Sequence, residues 1–459
     1  MIIKAKNNFQ FILFGATGDL ASLKLFPAIF DLFIQKRLPE NFQIIGYGRT
    51  KLNNEEFRKK FKESIKRDYQ KHDQELEKII DKHVFYFAGQ YDDQNSFREL
   101  KQFCQEIAQN DKYIQIAYLS VPPTVFGPII KNLGENFRSS KHELRIVIEK
   151  PFGVSEDSAR KLFNELSDQF DEEQIFLLDH FLGKTPIQTI LDLRIQNSII
   201  NNLINGRMID NVKISALEKQ GVEDRVGYFD NVGILKDMIQ SHLLQILAFI
   251  TMDLPVTPNI ESIHREKLNV LSAMKFTSKK NDVVFGQYEN YPVKNSKTDT
   301  FCAVKLYIDR RDWYDVPIYV ETGKKMPENK TEIEIVFKKM SFQADSVPSN
   351  KLIFEAKPGE TAKIRLVQEN SECPDYTCQD LEILDLEKSI ACSSEGCLGD
   401  YASLILDVIN SRKVFFLNYA EIEAAWRLTD QIFECRNTPS KYREGQKGPD
   451  SYQEFIKND

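Results

Sequence analysis

One short segment of the chain places three chemically capable side chains together. In residues 176–184 an apolar run leads directly into Asp179 and His180, and Lys184 follows four residues after the histidine. Asp and His are poor strand formers and are costly to bury without partners. The segment therefore indicates a site that needs a carboxylate, an imidazole and an ammonium group. The alternative is a strand-to-helix corner in which Asp179 caps the turn and Lys184 is solvated.

A second candidate for chemistry is His242, in a segment whose apolar spacing predicts a helix over residues 233–250. It falls on the same apolar row as Leu235, Met238 and Ile239. A histidine in such a row is often a satisfied core residue. A buried, oriented imidazole is also what a general base requires. Spacing alone leaves both interpretations open.

A glycine-containing turn near the N-terminus connects a predicted strand to a predicted helix. Residues 9–14 are aromatic and β-branched, and helical spacing of apolar residues begins at Ala21. Between them lie Gly15 and Gly18, which let the backbone turn tightly and approach a pyrophosphate at the helix N-terminus. Such turns are common, so this stretch alone leaves nucleotide binding and a plain connection both open.

The end of the next predicted strand, residues 42–50, bears on which dinucleotide would bind. An NAD-selective site usually ends this strand with a carboxylate on the ribose 2′-hydroxyl, whereas this strand ends in Arg49-Thr50. A guanidinium suits a 2′-phosphate, which a carboxylate would repel. We therefore predict NADP rather than NAD. The alternative is a solvated arginine on a loop.

Two further apolar segments, residues 113–123 and 143–153, predict strands of the same sheet. The second ends in Glu149-Lys150-Pro151. Because ligands of doubly wound sheets bind at the carboxyl ends of the strands, Lys150 stands where a substrate is expected. A lysine after a strand is also commonly just solvated. A functional role for Lys150 is therefore supported only by the similar strand end at Asp179.

The elements that position these residues predict two architectures. Strands and helices alternate over the first part of the chain, which predicts a Rossmann-like, doubly wound, mostly parallel sheet. From about residue 300 strand-length segments follow one another and helices return only near the C-terminus, which predicts a mostly antiparallel sheet flanked by helices. We expect an NADP-binding domain over residues 1–175 and a larger α+β domain over residues 176–459.

The bulk properties narrow the class of protein. The chain has 459 residues, too many for one hydrophobic core. Its formal net charge of −7 disfavours nucleic-acid binding. No apolar run reaches the length of a membrane span, and the N-terminal residues do not have the pattern of a signal peptide, so we expect a cytoplasmic protein that does not bind membranes.

The cysteine spacing does not indicate a metal site. Cys373 and Cys378 form one C-x4-C pair, and Cys392 and Cys397 form another. Common zinc sites use closer pairs, so we predict reduced thiols and no metal.

Several motifs, taken together and in order, are similar to those of the glucose-6-phosphate dehydrogenase family, from about residue 9 to at least residue 430. They are Gly15-x-x-Gly18-Asp19-Leu20-Ala21-x-x-Lys24, Gly46-Tyr-Gly-Arg49, Ala88-Gly-Gln-Tyr91-Asp92-Asp93, Glu149-Lys150-Pro151-Phe152-Gly153, Asp179-His180-Phe181-Leu182-Gly183-Lys184, Gly227-Tyr-Phe-Asp230, Lys236-Asp237-Met-Ile-Gln-Ser-His242-Leu-Leu-Gln and Thr322-Gly323-Lys324.

The resemblance implies an enzyme that oxidises D-glucose 6-phosphate at C1 to 6-phospho-D-glucono-1,5-lactone, the first step of the oxidative pentose phosphate pathway. His242 would take the proton of the C1 hydroxyl as the hydride leaves for NADP, and Asp179 would orient that imidazole. His180 and Lys184 would hold the 6-phosphate. The implied contacts to the rest of the sugar come from Lys150, Glu218, Asp237 and Lys324.

The resemblance also implies a cofactor site and an assembly. The residues that map to the NADP site are Gly15, Thr17, Gly18, Asp19, Leu20, Arg49, Thr50, Tyr91, Asp92 and Lys150. The second domain would bind the substrate and form a homodimer or homotetramer.

Three positions depart from the family pattern. Phe181 replaces a tyrosine, Glu321 stands where an arginine is frequent, and Asn329 stands where a second cation is usual, with Lys330 next to it. Weaker phosphate recognition would favour a related dehydrogenase that accepts free glucose or another hexose phosphate, against which His180 and Lys184 argue. An inactive NADP-binding regulator is a further alternative, but it would be expected to lack catalytic residues that this chain retains.

Overall fold

The structure is a computed structural model that describes residues 3–108, 112–137, 143–277, 282–344, 346–357, 361–369, 376–385 and 398–457. It divides into two compact units. The first comprises residues 1–153, 157–183 and 393–419, and the second comprises residues 154–156, 184–392 and 420–459.

The first unit is built on one sheet. Its strands, in chain order, are β1 (Phe9–Phe14), β2 (Phe42–Gly48), β3 (Val84–Ala88), β4 (Ile114–Leu119), β5 (Leu144–Glu149), β6 (Ile175–Leu178) and β16 (Phe416–Leu417). They are ordered β16-β6-β5-β4-β1-β2-β3, all parallel except β16, which pairs antiparallel with β6. Every residue of β1, β2, β4, β5 and β6 is buried, as expected for a sheet covered by helices on both faces.

Three buried glutamines cross this sheet in register. Gln10 on β1 pairs with Gln43 on β2 and with Gln115 on β4. The Gln10 amide donates to the Gln43 side chain at 2.7 Å, and the Gln115 amide donates to the Gln10 side chain at 2.8 Å. The ladder therefore pairs buried amide groups that would be costly to leave without hydrogen bonds.

Helices of the first unit follow most of these strands. They are α1 (Phe26–Ile34), α2 (Asn54–Lys66), α3 (Asp73–His83), α4 (Gln94–Ala108), α5 (Phe126–Phe137), α6 (Glu156–Ser167) and α12 (Asp400–Ile409). A π-helical turn, Ala21–Leu25, precedes α1. Asn53 begins α2 with a capping box, in which its side chain accepts from the Glu56 backbone and the Glu56 side chain accepts in return.

The second unit contains a larger mixed sheet. Its strands are β7 (Ile209–Leu217), β8 (Met274–Lys275), β9 (Val283–Tyr288), β10 (Phe301–Ile308), β11 (Ile318–Gly323), β12 (Lys330–Phe337), β13 (Lys351–Lys357), β14 (Thr361–Glu369), β15 (Tyr376–Asp385) and β17 (Ser440–Tyr442). The order is β15-β14-β13-β12-β7-β11-β10-β9-β17, and β8 pairs with β10. Neighbours are antiparallel except β7 with β11 and β9 with β17.

The helices of the second unit are α7 (Thr185–Gln196), α8 (Ser198–Leu203), α9 (Val226–Ile234), α10 (Leu244–Thr251), α11 (Ile260–Ala273), α13 (Tyr419–Glu434) and α14 (Asp450–Lys457). Between α9 and α10 the chain forms a π-helical segment, Leu235–Leu243. The buried Arg194 of α7 caps the end of α10, because its guanidinium donates to the carbonyls of Phe249, Ile250 and Met252 at 2.6–2.9 Å.

The structure confirms the predicted fold class and refines its details. The first unit runs beyond the boundary expected after residue 175, because β6 completes its sheet and the later segment 393–419 returns to pair β16 with β6. The second sheet also begins earlier than expected, since β7 lies at its centre between β11 and β12. The single helix expected over residues 233–250 is instead a π-helical segment continued by α10.

Candidate active site

The turn after β1 has the geometry of a phosphate-binding loop. Gly15 has φ +81°, and a Cβ there would lie 2.2 Å from the Ser120 carbonyl oxygen, so only glycine fits. The Gly15 N–H donates to Tyr47 O at 3.0 Å, and the Gly18 N–H donates to Gly15 O at 2.9 Å. Helical backbone begins at Asp19, immediately after this tight turn. The first N–H groups of that helix are the donors that an anion would use.

The loops after β2 and β3 place a cation and an aromatic ring beside this turn. The Arg49 guanidinium lies 5.4 Å from the centre of the Tyr91 ring, and Arg49 and Thr50 are both exposed. Burial raises the pKa of the Tyr91 phenol, while Arg49 and a hydrogen bond with the Gly15 backbone act in the opposite direction. Asp92 next to it is exposed. Tyr91 thus links the turn of β1 to the arginine at the end of β2.

These residues fit a nicotinamide dinucleotide with a 2′-phosphate. The glycine turn leaves room for close backbone approach, and Thr17 in this turn lies toward the end of β2, with its hydroxyl oxygen 3.9 Å from where a Cβ on Gly48 would stand. The two residues that follow β2 are Arg49 and Thr50, not a carboxylate. An exposed guanidinium there suits a phosphate dianion.

Lys150, Asp179 and His180 follow the ends of the adjacent parallel strands β5 and β6. Asp179 is 1% exposed, and its Oδ1 accepts from the Phe181 backbone N–H at 2.9 Å. Asp179 therefore does cap the short turn that carries His180, as the simpler interpretation of this segment expected. That role uses one carboxylate oxygen and is compatible with a role for the other.

Two tyrosines that sequence reasoning missed lie near this strand end, the buried Tyr118 and the half-buried Tyr401. The Tyr118 hydroxyl donates to Glu149 at 2.5 Å, and the Tyr401 ring stacks on His180 at 6.2 Å with an interplanar angle of 5°. Burial raises the pKa of the Glu149 carboxyl to about 7, with hydrogen bonds from Tyr118 and Tyr401 acting against it. Tyr401 lies more than 200 positions after His180, so only tertiary structure could reveal the pairing.

The second unit carries Asp237 and His242 on the π-helical segment. His242 is fully buried and Asp237 is 5% exposed. The Tyr228 hydroxyl of α9 lies 3.5 Å from Asp237 Oδ1, and burial, followed by the charge of Asp237, raises the pKa of this phenol. The Ser241 hydroxyl donates to the Asp237 carbonyl at 2.6 Å.

Two other predicted substrate residues of the second unit form an ion pair. Glu218 follows β7 and Lys324 follows β11, and Lys324 Nζ lies 2.5 Å from Glu218 Oε2. Because β7 and β11 are parallel neighbours, their carboxyl ends bring the two side chains together. Lys324 also lies 5.4 Å from the centre of the Phe229 ring. Lys184 is the residue just before α7, and its carbonyl accepts from the Ile187 and Gln188 N–H groups.

The three departures from the family pattern have local partners. Phe181 is 8% exposed and packs against His180, with ring centres 5.0 Å apart. Glu321 accepts from the Ser215 hydroxyl at 2.6 Å and from the Tyr452 hydroxyl.

At the third position, Asn329 accepts from the Lys219 N–H at 2.8 Å. Lys330 Nζ lies 2.5 Å from Glu332. Lys330 is therefore engaged in an ion pair on its own strand, β12.

Comparison with known proteins covers both units. A family model described as "Glucose-6-phosphate dehydrogenase, NAD binding domain" matches residues 12–189, and one described as the C-terminal domain of the same enzyme matches residues 191–459. The chain belongs to the glucose-6-phosphate dehydrogenase family. It is therefore an oxidoreductase with a nicotinamide cofactor, as its sequence motifs predicted.

Members of the glucose-6-phosphate dehydrogenase family resemble the chain over its whole length. Glucose-6-phosphate 1-dehydrogenase of Emericella nidulans is 34% identical over 99% of this chain and 92% of its own. The enzyme of Borreliella burgdorferi is 34% identical over 99% of this chain and 98% of its own. A solved glucose-6-phosphate dehydrogenase in complex with glucose 6-phosphate superposes with a TM-score of 0.92, at 30% identity, covering 100% of this chain and 99% of its own.

The structure does not describe the side chains of the four cysteines of the C-x4-C pairs. Cys373, Cys392 and Cys397 lie outside the described residues, and the side chain of Cys378 on β15 is likewise outside them. Among the described residues, no helix combines the length and apolar character needed to cross a membrane.

Proposed function

We propose that the chain oxidises D-glucose 6-phosphate at C1 to 6-phospho-D-glucono-1,5-lactone with NADP, the first step of the oxidative pentose phosphate pathway. The main support is the full-length match to relatives named glucose-6-phosphate 1-dehydrogenase, with the implied catalytic residues His242 and Asp179 and the implied substrate residue Lys150 all present. Arg49 at the end of β2 supports NADP over NAD.

In this proposal His242 is the general base. It takes the proton of the C1 hydroxyl as the hydride leaves C1. The residues of the glycine turn and Arg49 would hold NADP, which would supply the hydride acceptor. Its full burial keeps the imidazole in one orientation and away from bulk water. Asp179 is the proposed carboxylate partner that orients the ring and stabilises its cation, the logic of carboxylate–histidine pairs.

The remaining residues bind and orient the sugar phosphate. We assign the 6-phosphate to His180 and Lys184, and the contact near the nicotinamide to Lys150. Stacking on Tyr401 fixes the plane of the His180 ring, which favours one direction for its N–H donors. Glu218, held by Lys324, and Asp237 are assigned to the sugar hydroxyls.

The function is tested by steady-state NADP reduction with glucose 6-phosphate and with glucose. We expect kcat/KM for the phosphate ester to exceed that for glucose by at least about 10³-fold, because two cationic contacts to a dianion are lost with glucose. Similar values for the two substrates would support the alternative dehydrogenase of relaxed specificity. Binding of NADP without turnover of any hexose would support the regulatory alternative.

The cofactor preference is tested at Arg49. We expect Arg49→Ala to raise KM for NADP by about 10- to 100-fold, the value of charge-assisted hydrogen bonds to a phosphate, and to leave KM for NAD nearly unchanged. Initial rates with each cofactor measure both. The control is Lys66→Ala, which removes an exposed cation of α2 paired with Asp73. Equal increases for NADP and NAD in Arg49→Ala would contradict a 2′-phosphate contact.

The cytoplasmic location and the homodimeric or homotetrameric assembly expected from the sequence stay predictions.

A further inference from the structure

The π-helical segment that carries Asp237 and His242 is anchored at its start by one buried carboxylate. Asp299 precedes β10 and is 1% exposed. Its Oδ2 accepts from the Leu235 N–H at 2.9 Å, and its backbone carbonyl accepts from the Ile234 N–H at 3.0 Å. The first N–H groups of a helix have no partner within it, so a buried start needs such acceptors. The negative charge also matches the positive end of the helix dipole.

Two other residues fit around this carboxylate. Arg436 Nη2 lies 2.9 Å from Asp299 Oδ1. Gly233 has φ +73°, and a Cβ there would stand 2.8 Å from the same oxygen. Gly233 therefore makes a break near the end of α9, two residues before the π-helical segment, and Asp299 packs directly against that break.

The π-helical geometry decides which way Asp237 and His242 face. In an α-helix, with 3.6 residues per turn, residues five apart point about 140° away from each other. In a π-helix the i→i+5 hydrogen bond brings residues five apart to nearly the same side. The segment has this pattern, since the Leu244 N–H donates to Ile239 O, five residues back. Asp237 and His242 are five apart and so share a face.

We propose that Asp299 is a positioning residue: by fixing the start of the π-helical segment, it keeps Asp237 and His242 on one face for the substrate. The inference rests on the proposed role of His242. Without the carboxylate, the Leu235 N–H loses its acceptor and Gly233 loses the group that packs against it. The segment then relaxes toward the commoner α-helical spacing. Asp237 and His242 consequently diverge around the helix axis.

The test compares kcat, both KM values and the thermal midpoint of Asp299→Ala, Asp299→Asn and wild type. We expect Asp299→Ala to lower kcat by about 10- to 100-fold, the effect of a displacement of about 1 Å in a reacting group. Asp299→Asn keeps an acceptor for the Leu235 N–H, so we expect kcat within about threefold of wild type. KM for NADP stays unchanged in both, because the implied cofactor residues belong to the first unit.

The matched control is Asp407→Ala in α12. Asp407 is also a buried carboxylate next to an arginine, with Arg412 Nε 3.5 Å away, and it belongs to the first unit. We expect it to lower the thermal midpoint without changing kcat. The imidazole NMR signal of His242, identified by its absence in His242→Asn, should shift in Asp299→Ala and stay in place in Asp407→Ala.

The possible results distinguish the positioning role of Asp299 from the proposed role of His242 as the base. Wild-type kcat and an unmoved His242 signal in folded Asp299→Ala overturn the positioning role. Should Asp299→Ala fail to fold, Gly233→Ala decides, because its Cβ would displace the Asp299 carboxylate: a loss of kcat with an unchanged KM for NADP supports the role, and wild-type kcat overturns it. Wild-type turnover in His242→Asn would instead contradict the proposed function, whatever the Asp299 variants do.

Discussion

Replacement of His242 by asparagine is expected to abolish most of the turnover while the protein stays folded. An amide cannot accept the proton of the C1 hydroxyl, and a positioned general base contributes about 10²- to 10⁴-fold to a rate. We therefore expect kcat with glucose 6-phosphate and NADP to fall by about that factor. KM for the sugar phosphate should change little, because the phosphate contacts assigned to His180 and Lys184 remain. Steady-state kinetics at saturating NADP measures both quantities.

The control for this variant is His83→Asn. His83 is also buried, and its Nδ1 lies 2.7 Å from the Phe42 carbonyl oxygen at the amino end of β2, where no catalytic role is proposed. We expect it to keep the wild-type kcat. A His242→Asn enzyme with near-normal kcat, or a His83→Asn enzyme with the same loss, would contradict the assignment of His242 as the base.

The second large effect concerns stability. Lys267 of α11 and Glu421 of α13 are both fully buried, and their charged atoms lie 2.9 Å apart. His264 Nδ1 lies 2.7 Å from the other oxygen of Glu421. Removing one partner of a buried pair costs about 3–5 kcal/mol, because the remaining charge loses most of its compensation, here keeping only the His264 contact. We expect Lys267→Met to lose about that much free energy of unfolding at pH 7.

The loss should depend on pH in a defined direction. Burial acts to raise the pKa of Glu421, but Lys267 and His264 outweigh it and hold the pKa below its usual value. In the wild type this stabilisation is complete at neutral pH and disappears as the pH falls through the lowered pKa. In Lys267→Met the largest contribution that lowers this pKa is lost while burial remains, so the pKa rises. The carboxyl then protonates readily at pH 5, so the difference between variant and wild type should shrink from pH 7 to pH 5.

Urea unfolding followed by tryptophan fluorescence measures this loss, since Trp313 and Trp426 both belong to the second unit. The control Lys351→Met removes a partly exposed partner of Glu334, and we expect a loss of at most about 1 kcal/mol. Lys267→Met/Glu421→Leu should recover much of the stability, because no unpaired buried carboxylate remains. Equal losses in Lys267→Met and Lys351→Met would contradict a stabilising buried pair.

The parts of the fold that follow from local patterns were predictable. Successive strand-length segments were expected from about residue 300, and the strands β10 to β15 lie there. The Gly15 turn was predicted from glycine spacing, and its positive φ gives the physical reason for that residue. Family motifs then allowed roles to be assigned residue by residue.

Other parts depend on contacts between segments far apart in sequence. β7 lies in the centre of the second sheet, yet its residues 209–217 come long before the other strands, and pairing with β11 and β12 cannot be deduced from them alone. The π-helical segment was expected as part of an ordinary helix, because apolar spacing predicts a helix without revealing that its hydrogen bonds reach five residues back. Asp299 was missed because its carboxylate acts on the distant Leu235 N–H.

The ladder of Gln10, Gln43 and Gln115 has a consequence for how this fold can change. A shift of one strand by one residue would turn its glutamine to the opposite face and break the amide chain, so the three strands are locked in one alignment. The glutamine ladder lies near the start of the strands, at the edge of the sheet opposite the glycine turn. Loops at the edge that carries the glycine turn can therefore lengthen, shorten or exchange residues without shifting the strands to which they are attached. Substitutions in these loops can therefore change substrate preference during evolution, while the register of β1, β2 and β4 stays the same.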